Sequence, residues 1–175
     1  STLGIIGLGR IGLEMAKRSL GFDMMVLYTD VTRREDVEKR YSLKYADMDT
    51  LLRESDFVSV HTNLNEATYH LIGEEELAKM KPTAVLVNAA RGPVVDPKAL
   101  YQALRDGKIA AAALDVTEPE PIPMDDPLLT LDNCVIVPHI ASASFKTRGE
   151  MSRIAAQNLV NGLRGERLIT CVNPE

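Results

Sequence analysis

Thr2-Leu3-Gly4-Ile5-Ile6-Gly7-Leu8-Gly9-Arg10-Ile11-Gly12 is the stretch that decides the fold of this chain. An apolar run, Thr2–Ile6, leads into three glycines spaced G-x-G-x-x-G. Arg10–Leu20 follows, with Ile11, Met15 and Leu20 among its apolar positions and Gly21 as its stop. The run reads as a buried strand and the segment after it as a helix. In that setting each glycine has a task. Gly7 permits the tight turn, Gly9 lets the backbone approach a pyrophosphate, and Gly12 lets helix and strand pack closely. The helix N-terminus then turns free N–H groups and the positive end of its dipole toward phosphate. The spacing alone is a weak signal. Its place between strand and helix makes it a dinucleotide-binding turn.

The alternation continues outward from this turn. Strands are predicted at Met24–Tyr28, Phe57–His61, Ala84–Asn88, Ile109–Leu114 and Val135–Val137. Helices are predicted at Thr32–Arg40, Asp49–Glu54, Glu74–Met80, Pro97–Arg105 and Ser144–Arg164, with a proline-rich loop over Glu118–Pro127. Strands alternating with helices imply a parallel sheet covered on both faces. The expected fold is therefore α/β, a Rossmann-type doubly wound parallel sheet forming a single three-layer domain over residues 1–175. The chain begins almost on its first strand and stops at Asn173-Pro174-Glu175 soon after its last helix. That reads as a domain excised from something larger.

Composition narrows the function classes. The net charge of −5 argues against nucleic acid as a partner, because phosphate backbones are bound by Lys and Arg. No apolar run approaches a membrane span, and the apolar start is too short for a signal peptide. Cys134 and Cys171 lie far apart in no metal spacing, and each reads as a buried structural thiol in a reducing, cytoplasmic setting. No His/Cys/Asp/Glu cluster has zinc spacing, so no metal is expected. Neither a Gly-x-Ser-x-Gly elbow nor a phosphate-loop lysine motif is present.

Asp30 follows the second strand, 18 residues beyond Gly12, where an acidic side chain accepts hydrogen bonds from the adenosine ribose. A carboxylate there repels a 2′-phosphate and favours NAD. Arg33 and Arg34 are the residues that would instead accept NADP. Ligands of open α/β sheets bind outside the carboxyl ends of the strands. Arg91 follows Ala84–Asn88, Asp115 and then Glu120 follow Ile109–Leu114, and His139 follows Val135–Val137. An arginine, a carboxylate and a histidine thus converge on one edge beside the cofactor. This set suits reduction of a 2-oxo acid. Histidine exchanges a proton near neutrality. A carboxylate on its other nitrogen fixes the tautomer and steadies the imidazolium. Arginine offers a forked, permanently charged partner for a substrate carboxylate. Singly, Arg91 also reads as a surface residue, Glu120 as loop surface and His139 as a satisfied core histidine; their joint placement favours the site. His61 ends a strand on the same edge and reads either as a cofactor-pocket residue or as structural. His70 reads as structural.

Four motifs in order carry a resemblance: Gly7–Gly12, Val87-Asn88-Ala89-Ala90-Arg91-Gly92, Leu114-Asp115-Val116-Thr117-Glu118-Pro119-Glu120-Pro121 and Pro138-His139-Ile140-Ala141-Ser142-Ala143. The chain resembles, over essentially its whole length, the cofactor domain of the D-isomer-specific 2-hydroxyacid dehydrogenases. Stretches such as Gly107–Ala112 and Asn158–Glu166 look closest to the glyoxylate and hydroxypyruvate reductase branch. The resemblance implies that Arg91 binds substrate, that His139 is the catalytic histidine and that Glu120 is its paired carboxylate. It implies that Asp115 holds the nicotinamide carboxamide, that Arg10 and Ile11 contact the pyrophosphate, and that the backbone of Asn63 and Ala89 lines the cofactor site. Ser142, in the histidine motif, joins the cofactor-binding set. Formate dehydrogenases of this family carry glutamine in place of the paired glutamate, so Glu120 argues against that activity. Asn63 stands where the family usually has proline, and Ala113 and Ala141 replace common glycines. The implied partners are a small 2-oxo or 2-hydroxy acid and a second copy of the full-length protein. A corepressor-like scaffold that senses NAD is a second reading, since those proteins share the fold and the triad. Phosphoglycerate oxidation is a third.

Overall fold

Strand β1 (Thr2–Ile6) is buried along its whole length, and the sheet is built outward from it. The computed structural model describes residues 1–173, which fall into two units, Ser1–His139 and a shorter one beginning at Ile140. In the first unit β1 is followed by α1 (Arg10–Ser19), β2 (Met25–Thr29), α2 (Glu35–Tyr41), β3 (Lys44–Tyr45), α3 (Met48–Glu54) and β4 (Phe57–Val60). Then come α4 (Glu74–Lys79), β5 (Val85–Asn88), α5 (Pro97–Arg105), β6 (Ala111–Leu114) and β7 (Cys134–Ile136). All seven strands are parallel, in the order β3-β2-β1-β4-β5-β6-β7. The winding reverses between β1 and β4, so the loops leaving those two strands diverge and open a crevice at their carboxyl ends.

Side chains alternate across the strands, which gives the sheet a core on each face. Leu3 and Ile5 pack with Val26, Tyr28, Ala16 of α1 and Val37 of α2. Ile6 and Leu27 point the other way, into a larger cluster with Val58, Leu86, Leu51 of α3, Leu77 of α4 and Leu100 of α5. This is the expected doubly wound α/β arrangement. β7 is an edge strand, and Val135 on it is 62% exposed.

The second unit holds α6 (Phe145–Leu163), capped by Ser144, whose hydroxyl accepts from the Thr147 amide at 3.1 Å. Asn158 accepts from the Ile169 amide at 2.8 Å, and Asn161 donates to the Arg167 carbonyl at 2.9 Å. These bonds fold the segment after the helix back along it. No residue of α6 is buried.

Three details differ from the sequence reading. β3, only two residues long, has too few positions to show a period. The second helix starts at Glu35, three residues later than predicted, because Asp30–Arg34 forms the loop beside the glycine turn. Cys171 is exposed, not buried; Cys134 is half-buried, and burial pushes its thiol up to about 11. Pro174 and Glu175, part of the sequence end read above as an excision point, lie outside the described residues.

Leu86 is fully buried in β5, which pairs with β4 on one side and β6 on the other. Leu86→Ala is expected to cost about 2–5 kcal/mol in urea unfolding, whereas Val135→Ala on the edge stays within about 0.5 kcal/mol.

Candidate active site

Gly7 has φ +94°, and its amide donates to the Thr29 carbonyl at 2.9 Å. A Cβ at Gly7 would press on the His61 carbonyl group at 2.9 Å, and one at Gly12 would collide with the Gly7 carbonyl oxygen. The chain's own packing therefore demands both. Gly9 is different. No atom lies within 4 Å of where its Cβ would stand, and the residue is exposed. It begins α1 without a side-chain cap, and no acidic residue occupies the first turn. The first-turn N–H groups of Arg10, Ile11 and Gly12 have no intrahelical acceptor. An uncapped helix start above an open cradle fits the diphosphate of a dinucleotide.

Asp30 leaves β2 beside this turn. Its Oδ2 accepts from the Leu8 amide at 2.6 Å and its Oδ1 from the Thr32 amide at 3.4 Å. The carboxylate braces the glycine turn, a task the sequence reading did not assign to it. Arg33 forks onto Glu38 at 2.9 and 2.8 Å, and Arg34 onto Asp36 at 3.1 Å by both contacts. The Tyr28 hydroxyl donates to Glu38 at 2.7 Å and accepts from the Arg34 amide at 2.8 Å. Arg33 and then Tyr28 hold the Glu38 carboxyl down at about 2, while burial first and Glu38 next push the Tyr28 phenol to about 12. Both arginines thus already have carboxylate partners.

Across the crevice the chain leaves β4. The His61 amide donates to the Ile6 carbonyl at 2.8 Å, and its Nε2 lies 2.9 Å from the Ser59 hydroxyl. The Thr62 hydroxyl is buried without a hydrogen-bond partner. Asn63 is exposed, and its carbonyl accepts from the Thr68 hydroxyl at 2.6 Å.

The ends of the next three strands are tied together by main chain. Asn88, 1% exposed at the end of β5, accepts from the Ala90 amide at 3.0 Å and donates to the Arg91 carbonyl at 3.0 Å. Its side chain sets the turn that carries Ala89 and the exposed Arg91. The Asn88 carbonyl accepts from the Asp115 amide at 2.9 Å, and the Asp115 carbonyl accepts from the His139 amide at 2.9 Å. His139, in the left-handed region with φ +52°, then places Nδ1 2.7 Å from Oε1 of Glu120. A cavity of about 480 Å³ beside the pair is lined by Asp115, Ile136 and both members. The contact at Nδ1 selects the tautomer protonated there and leaves Nε2 to exchange a proton.

The structure therefore brings Glu120 and His139 into contact, puts Asp115 on the same edge, and joins Arg91 to them through Asn88. Ser142 lies in the second unit, where its carbonyl accepts from the Ser144 amide at 2.9 Å. Asn88 was missed by the sequence reading, although an asparagine ending an apolar strand is an uncommon choice that could have flagged it. Among the described residues no group of three or more His, Cys, Asp and Glu could hold a metal ion. No helix among them is long and apolar enough to cross a membrane.

Residues 1–141 match the family model described as D-isomer specific 2-hydroxyacid dehydrogenase, NAD binding domain. A glyoxylate reductase of Korarchaeum cryptofilum is 57% identical over 174 residues, covering 99% of this chain and 52% of the relative. A glyoxylate/hydroxypyruvate reductase B of Yersinia pestis is 53% identical over 175 residues, covering 99% and 54%. The solved D-lactate dehydrogenase of Lactobacillus jensenii with NAD+ superimposes with a TM-score of 0.89 at 37% identity, covering 98% of this chain and 55% of that one. The chain spans about half the length of these relatives.

Burial of His61 lowers its pKa below the ordinary 6.5, so the unfolded chain binds this proton more readily than the folded one. Stability from the neutral imidazole is fully present above pH 6.5 and declines as the pH falls below it. Thermal unfolding followed by circular dichroism should show that decline in the natural chain and a shallower one in His61→Gln. Identical profiles would remove His61 as its cause.

Proposed function

The chain belongs to the D-isomer specific 2-hydroxyacid dehydrogenase family, and on that premise we propose that the whole protein interconverts a small 2-oxo acid, of the glyoxylate or hydroxypyruvate kind, with its D-2-hydroxy acid. The observation that carries this reading is the His139–Glu120 contact of 2.7 Å, on the sheet edge that also bears Arg91 and the glycine turn. Bound NAD(H) supplies the hydride in reduction and takes it up in oxidation. The chain's own work is the rest. Arg91 holds the substrate carboxylate in its fork and polarises the neighbouring carbonyl. His139 gives a proton from Nε2 to the carbonyl oxygen as it is reduced and takes one from the hydroxyl in reverse. Glu120 keeps the imidazole in register and offsets its positive charge.

Gly7, Gly9, Arg10, Ile11 and Gly12 receive the pyrophosphate, and Asp30 the ribose. Asn63, Ala89 and Asp115 complete the part of the cofactor site that the first unit carries. NAD is preferred over NADP because Asp30 repels a 2′-phosphate while Glu38 and Asp36 already engage the two arginines that would bind it. The names of the relatives support the substrate class. Two free cysteines suit a reducing cytoplasm. The acting form is a homodimer of the full-length protein.

Fluorescence titration of the chain should show NADH binding about tenfold or more tightly than NADPH, a difference of about 1.4 kcal/mol. Equal affinities would remove the role given to Asp30 and the paired arginines. In the complete protein, His139→Gln should lower kcat for glyoxylate reduction by about 10²–10⁴ without changing the affinity for NADH. A natural protein that oxidises NADH with neither glyoxylate nor hydroxypyruvate sinks the proposal.

A further inference from the structure

His70 takes no part in the proposed chemistry, yet it touches both the segment after Arg91 and the segment of Glu120. It lies in the loop after β4. Its amide donates to the Pro93 carbonyl at 2.7 Å, two residues beyond Arg91. Its Nε2 lies 2.7 Å from Oε2 of Glu118, two residues before Glu120. Its Nδ1 lies 3.7 Å from Oδ2 of Asp96.

Each partner is itself held. Oδ1 of Asp96 caps α5, accepting from the Lys98 and Ala99 amides at 2.9 and 3.2 Å, so its other oxygen is a fixed point. The second oxygen of Glu118 accepts from the Tyr69 hydroxyl at 3.3 Å, and the Tyr69 ring stacks on His70 at 4.0 Å. The Ile72 amide donates to the Val94 carbonyl at 3.0 Å, and the Asp96 amide to the Ile72 carbonyl at 3.0 Å. The loop after β4 is therefore stitched to the segment after Arg91 like a further strand pair. His70 extends that stitching to the segment of Glu120 by its 2.7 Å contact with Glu118, with the longer bond from Tyr69 beside it. The residue does so with φ +49°, in the left-handed region where glycine is the unstrained choice. A non-glycine residue persists there when its surroundings over-determine it.

We propose that His70 is a positioning residue that, through Glu118, holds the loop of Glu120 at a fixed distance from the turn of Arg91, and so keeps Glu120 on His139. The inference deepens the reading of the site given above and rests on it. His70 touches neither substrate nor cofactor in this role. It sets the spacing between the group that binds the substrate carboxylate and the pair that moves the proton. Displacements of about 1 Å in such spacing cost about a hundredfold in rate.

The test reads the tautomer of His139 in the chain by long-range ¹H–¹⁵N correlation of the three imidazoles, at a pH where they are neutral. In the natural chain Glu120 makes the Nδ1–H form of His139 the major one. His70→Gly removes the side chain where the backbone favours glycine, and Glu118→Ala removes the latch from its other end. Both are expected to keep the fold while the Nδ1–H form of His139 ceases to be the major one. His70→Gln, which retains a donor for Glu118, should restore it. An unchanged His139 tautomer in His70→Gly or in Glu118→Ala overturns the proposal, including where the melting temperature falls. In the complete protein, His70→Gly should lower kcat with glyoxylate about ten- to hundredfold while the Kd for NADH holds. A natural protein inert toward 2-oxo acids would overturn the functional reading instead, and the tautomer measurement would still decide the role of His70.

Discussion

The structure depends on the approach of α1 to the end of β1, backbone against backbone. At Gly12 the helix comes so close to the Gly7 carbonyl that no Cβ fits between them, and Gly7 itself lies against the carbonyl of His61. Those contacts fix the first helix on one face of the sheet and the turn at the reversal of winding. Helix α1 can then aim an uncapped N-terminus at the crevice. Everything attached to the later strands inherits its position from this point, because each strand is registered on its neighbour outward from β1. The turn is therefore placed relative to Arg91, Asp115 and His139 by the strand ladder and the loop bonds that extend it.

Burial divides the candidate site into enclosed and exposed groups. Asn88 and Asp115 are buried, at 1% and 8% exposure, while Arg91, Glu120 and His139 are exposed. A buried polar group needs its hydrogen bonds, and each such bond removes a freedom from the main chain beside it. Asn88 spends its amide on the turn of Arg91, and its carbonyl on Asp115, which passes the constraint to His139. Three residues far apart in sequence thus hang from one connected set of main-chain bonds. The side chains of Arg91 and His139 stand exposed at the ends of these bonds.

Much of this was legible in the sequence, and the reasons differ by residue. Strand and helix periods are local, so the alternation of elements, the parallel sheet and the edge bearing Arg91, Asp115 and His139 could be read from spacing. The G-x-G-x-x-G turn was legible because its spacing between a strand and a helix is a local pattern and Gly12 answers to a backbone contact only five residues back, although the contact of Gly7 with His61 is not local. β3 was not, since two residues carry no period. Asp30 was placed on the correct loop, but its bond to the Leu8 amide spans 22 residues and no local pattern encodes it. The pairing of Arg33 with Glu38 lay hidden for the opposite reason. A run of mixed charge looks solvated from sequence, and only the Tyr28 hydroxyl reaching out from the core shows why Glu38 is the partner. His70 was dismissed because its partners, Asp96 and Glu118, come from two other loops.

Exposure also says what the pair on the sheet edge can do in this unit. The side chains of His139 and Glu120 are 50% and 41% exposed. At that exposure water screens the attraction between an imidazolium and its carboxylate, and a hydrogen bond of 2.7 Å is worth little more than its orienting effect. The same contact gains strength only when a bound acid and whatever else borders it exclude water, since electrostatic terms grow as the local dielectric falls. The first unit therefore contributes geometry: it presets tautomer, spacing and direction. Desolvation has to come with the ligand and with surface that this unit does not supply. That division is in keeping with a chain spanning about half the length of its relatives. It also explains why the orienting bonds are so many and so short while the groups they orient stand in the open.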